Sequence, residues 1–218
     1  MKSRSQRELG EGTGAGLGRP LAVRLTAHGV VAGACVLYAA IFGRHLVVTE
    51  PALRDLGLDL GERVEGPVLV AASLLGGAAI ALATLALSRW VARSSRGVAL
   101  LEALRAPTEG ASDRALFALA IAGGVAEELL FRGVLAQALG VVLSSVLFGL
   151  AHQVRGPARW VWAGWALALG LLLAGLFKAT GSLAGPILAH CAINFGNLRF
   201  VRDARTPRQR RLGGLLAR

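Results

Sequence analysis

Residues 114–139 read RALFALAIAGGVAEELLFRGVLAQAL, and the reading of this stretch decides the fold. A helix needs about 20 apolar residues to cross about 30 Å of hydrocarbon. The 26 residues here are enough. Past Arg114, the charged residues are Glu127, Glu128 and Arg132, all in the middle of the apolar run. A charge at that depth costs at least about 2.5 kcal/mol on insertion, so such residues are kept for a task or a partner. The stretch reads as a membrane helix that carries a polar site.

Five further apolar stretches lie near 26–48, 66–90, 140–154, 158–180 and 183–201. Most approach spanning length. The stretch 140–154 does not, since 15 residues cover only about 23 Å as a helix; it is tilted, partly sunk, or beside a water-filled cavity. Hydrophobic residues make up 54% of the 218 and charged residues 17%, against a usual charged share of about 25%. Mean hydropathy is +0.57. A soluble domain of this size could not keep so much apolar surface from water, and disordered chains are poor in apolar residues. Cys35 and Cys191 sit in apolar stretches without CxxC spacing, which excludes a disulfide scaffold or a thiolate zinc cluster. The expectation is an all-α, polytopic integral-membrane helical bundle of about six membrane helices.

The net charge of +11 raises nucleic-acid binding as a class. Its distribution argues otherwise, because the 22 Arg and two Lys fall mostly in the tails and between apolar runs. No basic stripe is interleaved with aromatic or polar groups, so the expected surroundings are the lipid bilayer and no nucleic acid. Of the 24 basic residues, 19 lie in the N-terminal tail, the second and fourth connections and the C-terminal tail, against four in the first, third and fifth. That asymmetry predicts both termini in the cytoplasm and a multi-pass protein of the inner cell membrane.

Three regions follow. Residues 1–24 read as a disordered basic tail in the cytoplasm, 25–201 as the membrane helical domain, and 202–218 as an Arg-rich cytoplasmic tail. Between the second and third stretches, Val98, Leu101 and Leu104 suit a short interfacial helix ended by Pro107, with Ser112 or Asp113 capping the next helix. Trp160, Trp162 and Trp165 read as an interfacial belt, and His28 and His45 as interfacial residues flanking the first stretch.

Polar residues inside the apolar stretches form three pairs spaced i,i+4: Glu128 with Arg132, Phe148 with His152, and His190 with Asn194. Residues four apart share a helix face, so three helices would turn polar patches toward one interior. Counted from the predicted cytoplasmic ends, Glu127 lies about 20 Å deep, His190 about 13 Å and His152 about 5 Å, which favours a cluster opening toward the cytoplasm, with a midplane position as the alternative. Two carboxylates and two imidazoles in a partly desolvated cavity can activate a water and stabilise an oxyanion. That is peptide-bond hydrolysis without a covalent intermediate. Ser144 and Ser145 lack a GxSxG context, and neither cysteine shows activating surroundings, although Cys191 adjoins His190. No cofactor is required. Zinc is admissible on Glu127, His152 and His190, though HExxH is absent.

EELLFR at 127–132, FGLAH at 148–152 and HCAIN at 190–194 resemble the successive EExxxR, FxxxH and HxxxN motifs of the CPBP family, the CAAX-protease and bacteriocin-processing (Abi) intramembrane proteases. The resemblance covers residues 114–198 as a catalytic core. It implies Glu127 as the glutamate that activates water, with His152 as its partner, and His190 with Asn194 as the oxyanion pair. Glu128 and Arg132 resemble the supporting members of the first motif, expected as an ion pair, and Phe148 looks structural. The implied activity is endoproteolysis of a membrane-associated or lipidated protein or peptide. The competing class is a non-catalytic membrane protein, such as an immunity or scaffold factor or a small ion carrier. Carriers show paired repeats or broken helices in corresponding halves, and neither is visible here. The excess of Arg over Lys, with much Ala, Gly and Leu, points to a GC-rich bacterial genome.

Overall fold

A computed structural model describes residues 15–47, 66–106, 108–154, 156 and 158–204, and the fold is all-α. Helix α1 spans Ala15–Phe42, α2 Gly66–Val91, α3 Ser95–Arg105 and α4 Asp113–Glu128. The chain continues without a break through a π-helical segment, Leu129–Leu135, into α5, Ala136–Leu139. Then follow α6, Val141–Ala151, α7, Arg159–Thr180, and α8, Ala184–Asp203.

Three of these are long and apolar enough to cross a membrane, at Leu21–Phe42, Gly66–Val91 and Arg159–Thr180. The continuous helix 113–139 and α8 carry the polar motifs, and those residues lower their hydropathy. The outer faces are apolar: Leu75, Leu82 and Val142 are each about 70% exposed. Side chains of that kind on a bundle surface match lipid better than water.

Helix α8 is the centre of the packing, lying against α2 and α4, while α6 packs on α7 and α1 on α4 and the π segment. Leu173, Ala189 and Ile193 bury the α7–α8 contact, and Phe131, Phe148 and Ala166 bury the one among the π segment, α6 and α7. Gly124 lets α4 and α8 meet closely. A Cβ there would lie 2.6 Å from Cys191 Sγ and 3.1 Å from its backbone nitrogen. Gly140, at φ 83°, makes the turn from α5 to α6, and Gly181, at φ 65°, ends α7 in the left-handed conformation that glycine adopts without strain.

Some boundaries differ from expectation. Helix α1 starts at Ala15, inside the segment read as a tail, because extending an existing helix is far easier than starting one. Helix α8 likewise runs to Asp203, into the segment read as the C-terminal tail. Residues 1–14, the first connection at 48–65, Pro107 and residues 205–218 lie outside the described residues. The interfacial-helix segment is α3, capped by Ser94, and Ser112 Oγ caps α4 by accepting from the Ala115 amide at 3.2 Å.

At one end of the bundle, Arg202 pairs with Asp113 at 2.6 Å and donates to the Ala111 carbonyl at 3.0 Å. Arg105 donates to the Ala204 carbonyl at 2.6 Å, and Arg89 to Asn197 Oδ1 and the Gly196 carbonyl, each at 2.8 Å. These contacts tie the ends of α2, α3 and α8 to the start of α4.

Candidate active site

Glu127 and Glu128 are adjacent on α4, about 100° apart around the helix, so they cannot face the same way. Glu128 points inward and is fully buried, as are Arg132 and His190 within 2%. Its Oε1 accepts from Arg132 Nη1 at 2.7 Å and from His190 Nδ1 at 2.6 Å. Arg132 Nη2 also donates to the Gly170 carbonyl at 3.1 Å, and its guanidinium lies 4.5 Å from the Phe148 ring centroid. The expected Glu128–Arg132 ion pair is therefore present, and it reaches His190 on a different helix. Arg132 falls within the π segment, a local widening that often marks functional positions in helices.

Glu127 turns toward a cavity of about 250 Å³ between α1, α4, α7 and α8. Its Oε2 lies 3.4 Å from His152 Nε2 and 3.7 Å from His190 Nε2. Asn194, one turn beyond His190, lines the same cavity. The structure thus brings Glu127, His152, His190 and Asn194 to one place, with Glu128 and Arg132 behind them. Phe148 packs 4.3 Å from the His152 ring and edge-on at 5.7 Å to the His190 ring, holding both imidazoles.

The tautomers follow from the partners. A carbonyl only accepts, so the 2.8 Å contact from His152 Nδ1 to the Phe148 carbonyl fixes the proton on Nδ1. The contact from His190 Nδ1 to the Glu128 carboxylate does the same. In their neutral forms both rings then aim an Nε2 lone pair at Glu127 Oε2, which has no hydrogen-bond partner of its own. Three acceptors facing one another suit a molecule that donates, and water is the simplest.

Imidazole and carboxylate donors are also those zinc accepts. Among the described residues, however, no group of three or more His, Cys, Asp and Glu is placed to hold a metal ion. Ser144 and Ser145 are buried and donate to the Val141 carbonyl, as structural hydroxyls do. Cys191 packs against α4, with its Sγ 3.9 Å from the Ile121 carbonyl.

Two expectations are corrected. His28 does more than flank the first stretch, because its Nε2 lies 3.8 Å from Glu127 Oε1 and it lines the cavity with Arg24. Trp162 and Trp165 line the cavity too, and Trp162 stands 6.1 Å from the His152 ring, leaving Trp160 as the tryptophan of that group facing outward. Arg24 and His28 are spaced i,i+4 like the three recognised pairs, which was the signal available for them.

An all-helical membrane protein with a glutamate between histidines on separate helices is the class that fold and site define. Residues 114–196 match the family of type II CAAX prenyl endopeptidase Rce1-like proteins, and the resemblance carried by the three motifs holds over that segment. The uncharacterized protein YpbD of Bacillus subtilis (strain 168) is 34% identical over 82 residues, covering 34% of this chain and 43% of that protein. The match therefore spans less than half the length of that curated relative. No solved structure matches the chain.

Proposed function

We propose that the protein is an intramembrane endopeptidase of the CAAX-protease type, acting on a membrane-associated or lipidated protein or peptide. The observation that carries this reading is Glu127 Oε2 beside the Nε2 atoms of His152 and His190, on the wall of a cavity large enough for a peptide segment. In the reaction, Glu127 takes a proton from a water that it shares with His152, and the hydroxide oxygen bonds to the scissile carbonyl carbon. The carbonyl electrons move to oxygen, giving a tetrahedral oxyanion. Asn194 Nδ2 donates to that oxyanion. His190 can donate as well only as an imidazolium, and Glu128 on its Nδ1 balances that charge. The C–N bond then breaks as the proton held by Glu127 passes, directly or through His152, to the leaving amine.

The cavity extends from Glu127 to Leu104, Thr108 and Val201, at the end of the bundle rich in arginine contacts. With both termini in the cytoplasm and the chain in the inner membrane, substrate would reach Glu127 from the cytoplasmic side. The test compares membrane-protein termini in cells carrying wild type and Glu127→Gln at equal expression. Precursors left uncut with Glu127→Gln support the protease reading and name the substrate. Unchanged termini, with a deletion phenotype rescued by Glu127→Gln, would support a non-catalytic role.

A further inference from the structure

We infer that His28, on α1, is a positioning residue that fixes the rotamer of the Glu127 carboxylate from the side opposite His152 and His190. The inference rests on the hydrolytic reading of Glu127 and adds a residue outside the three motifs. The two carboxylate oxygens of Glu127 face different partners. Oε2 looks at His152 and His190, at 3.4 and 3.7 Å, while Oε1 looks at His28 Nε2, at 3.8 Å. A glutamate has three side-chain torsions, and in a cavity it can swing. A cationic or N–H group on Oε1 removes that freedom and leaves Oε2 for the proton it must take.

A second observation comes from the backbone of α4. A Cβ on Gly123 would lie 3.4 Å from His28 Nε2 and 3.7 Å from both its Cε1 and Glu127 Oε1, ordinary contact distances that place the imidazole against α4 beside the carboxylate. A third comes from α1 itself. Its membrane-length part, Leu21–Phe42, has few buried residues. His28 and Arg24 are the basic residues in that part; His28 is half-buried and lines the cavity, and Arg24, more exposed, borders it. A lipid-facing helix has no use for an imidazole unless it serves the interior.

The test uses the full chain in lipid nanodiscs, with the wild type, Glu127→Gln, His28→Ala, His28→Gln and, as a control, His45→Gln, whose side chain is exposed. The probe substrate is the precursor left uncut in cells carrying Glu127→Gln. The Glu127 carboxylate stretch, identified by its loss in Glu127→Gln, is followed by infrared difference spectroscopy and needs no substrate. His28→Ala is expected to lower kcat by up to about 100-fold, the cost of misplacing a reacting group by about 1 Å. KM should stay within about 2-fold, as for a group that does not bind substrate. The carboxylate band should shift with His28→Ala, and His28→Gln, whose amide can donate to Oε1, should restore both band and kcat.

Wild-type kcat and an unshifted band in a folded His28→Ala protein would overturn the inference while Glu127→Gln stays inactive. So would a folded His28→Gln protein that restores neither. Membrane-protein termini unchanged in cells carrying Glu127→Gln would instead overturn the hydrolytic reading, and the infrared band would still decide the contact with His28.

Discussion

Replacing Arg132 with methionine is the sharpest probe of how the site is built. The guanidinium is 1% exposed and makes a 2.7 Å bond to Glu128, a 3.1 Å bond to the Gly170 carbonyl and a stacked contact with Phe148. Methionine fills much of the volume but leaves Glu128, which is fully buried, with His190 as its remaining partner. Removing one member of a buried ion pair costs about 3–5 kcal/mol, chiefly because a charge is left without compensation. For a chain of this size that corresponds to a fall in Tm of about 6–20 °C. Glu128→Gln should cost a similar amount, for the mirror-image reason. In the double variant no ionised group is stranded, so its loss should fall short of the sum of the two singles by about 2–3 kcal/mol. Thermal unfolding in detergent, followed through tryptophan fluorescence, measures all three. A single-variant loss below about 1 kcal/mol, or additivity within about 0.5 kcal/mol, would show that the pair does not hold the site together.

Other perturbations separate chemistry from packing. Glu127→Gln should abolish precursor cleavage by about 100-fold or more while leaving Tm within a few degrees, since this carboxylate has no hydrogen-bonded cation to strand; a large fall in Tm would assign it a structural role instead. Gly124→Ala should cost about 1–3 kcal/mol through overpacking, and Cys191→Ala should relieve it only in part, because the added Cβ also meets the Cys191 backbone at 3.1 and 3.2 Å. Full relief in the double variant would mean that the helices separate freely. Treatment with 1,10-phenanthroline should leave precursor cleavage unchanged, and inhibition reversed by added zinc would refute the metal-free route.

The helical bundle was legible because its determinants are local. Apolar length located α2 and α7 closely, and Ser112 marked the start of α4. The π segment was not legible, because LLFRGVL is ordinary helical sequence and the change to π geometry depends on what Phe131 and Arg132 must reach across the bundle. The grouping of the candidate site was legible where two polar residues shared a face at i,i+4. That rule found Glu128 with Arg132 and His190 with Asn194. It left Glu127 with no partner on its own helix, and the structure supplies three imidazoles from α1, α6 and α8. Partners on other helices leave no periodicity behind; for His28 the available signal is its i,i+4 spacing from Arg24 on its own helix.

The short α6 explains a conflict in the depth estimates. Counting from the end of its apolar stretch put His152 about 5 Å below the cytoplasmic surface, against about 20 Å for Glu127. Yet His152 Nε2 lies 3.4 Å from Glu127 Oε2, so the two stand at the same level of the bundle. Counting inward from the end of an apolar stretch gives a depth only where the stretch ends at the surface, which one too short to span need not do. Helix α6 has 11 residues and ends at His152, whose φ of −90° and ψ of 74° leave the helical region. At 1.5 Å per residue it covers about 16 Å, roughly half of a bilayer core. A helix of that length cannot carry His152 to the far surface; it delivers the imidazole to mid-bundle and stops. Leaving the helix there exposes backbone polar groups, which lipid would not tolerate but a water-filled cavity does. The same break in α6 thus places a histidine beside Glu127 and sets it against the cavity rather than against lipid.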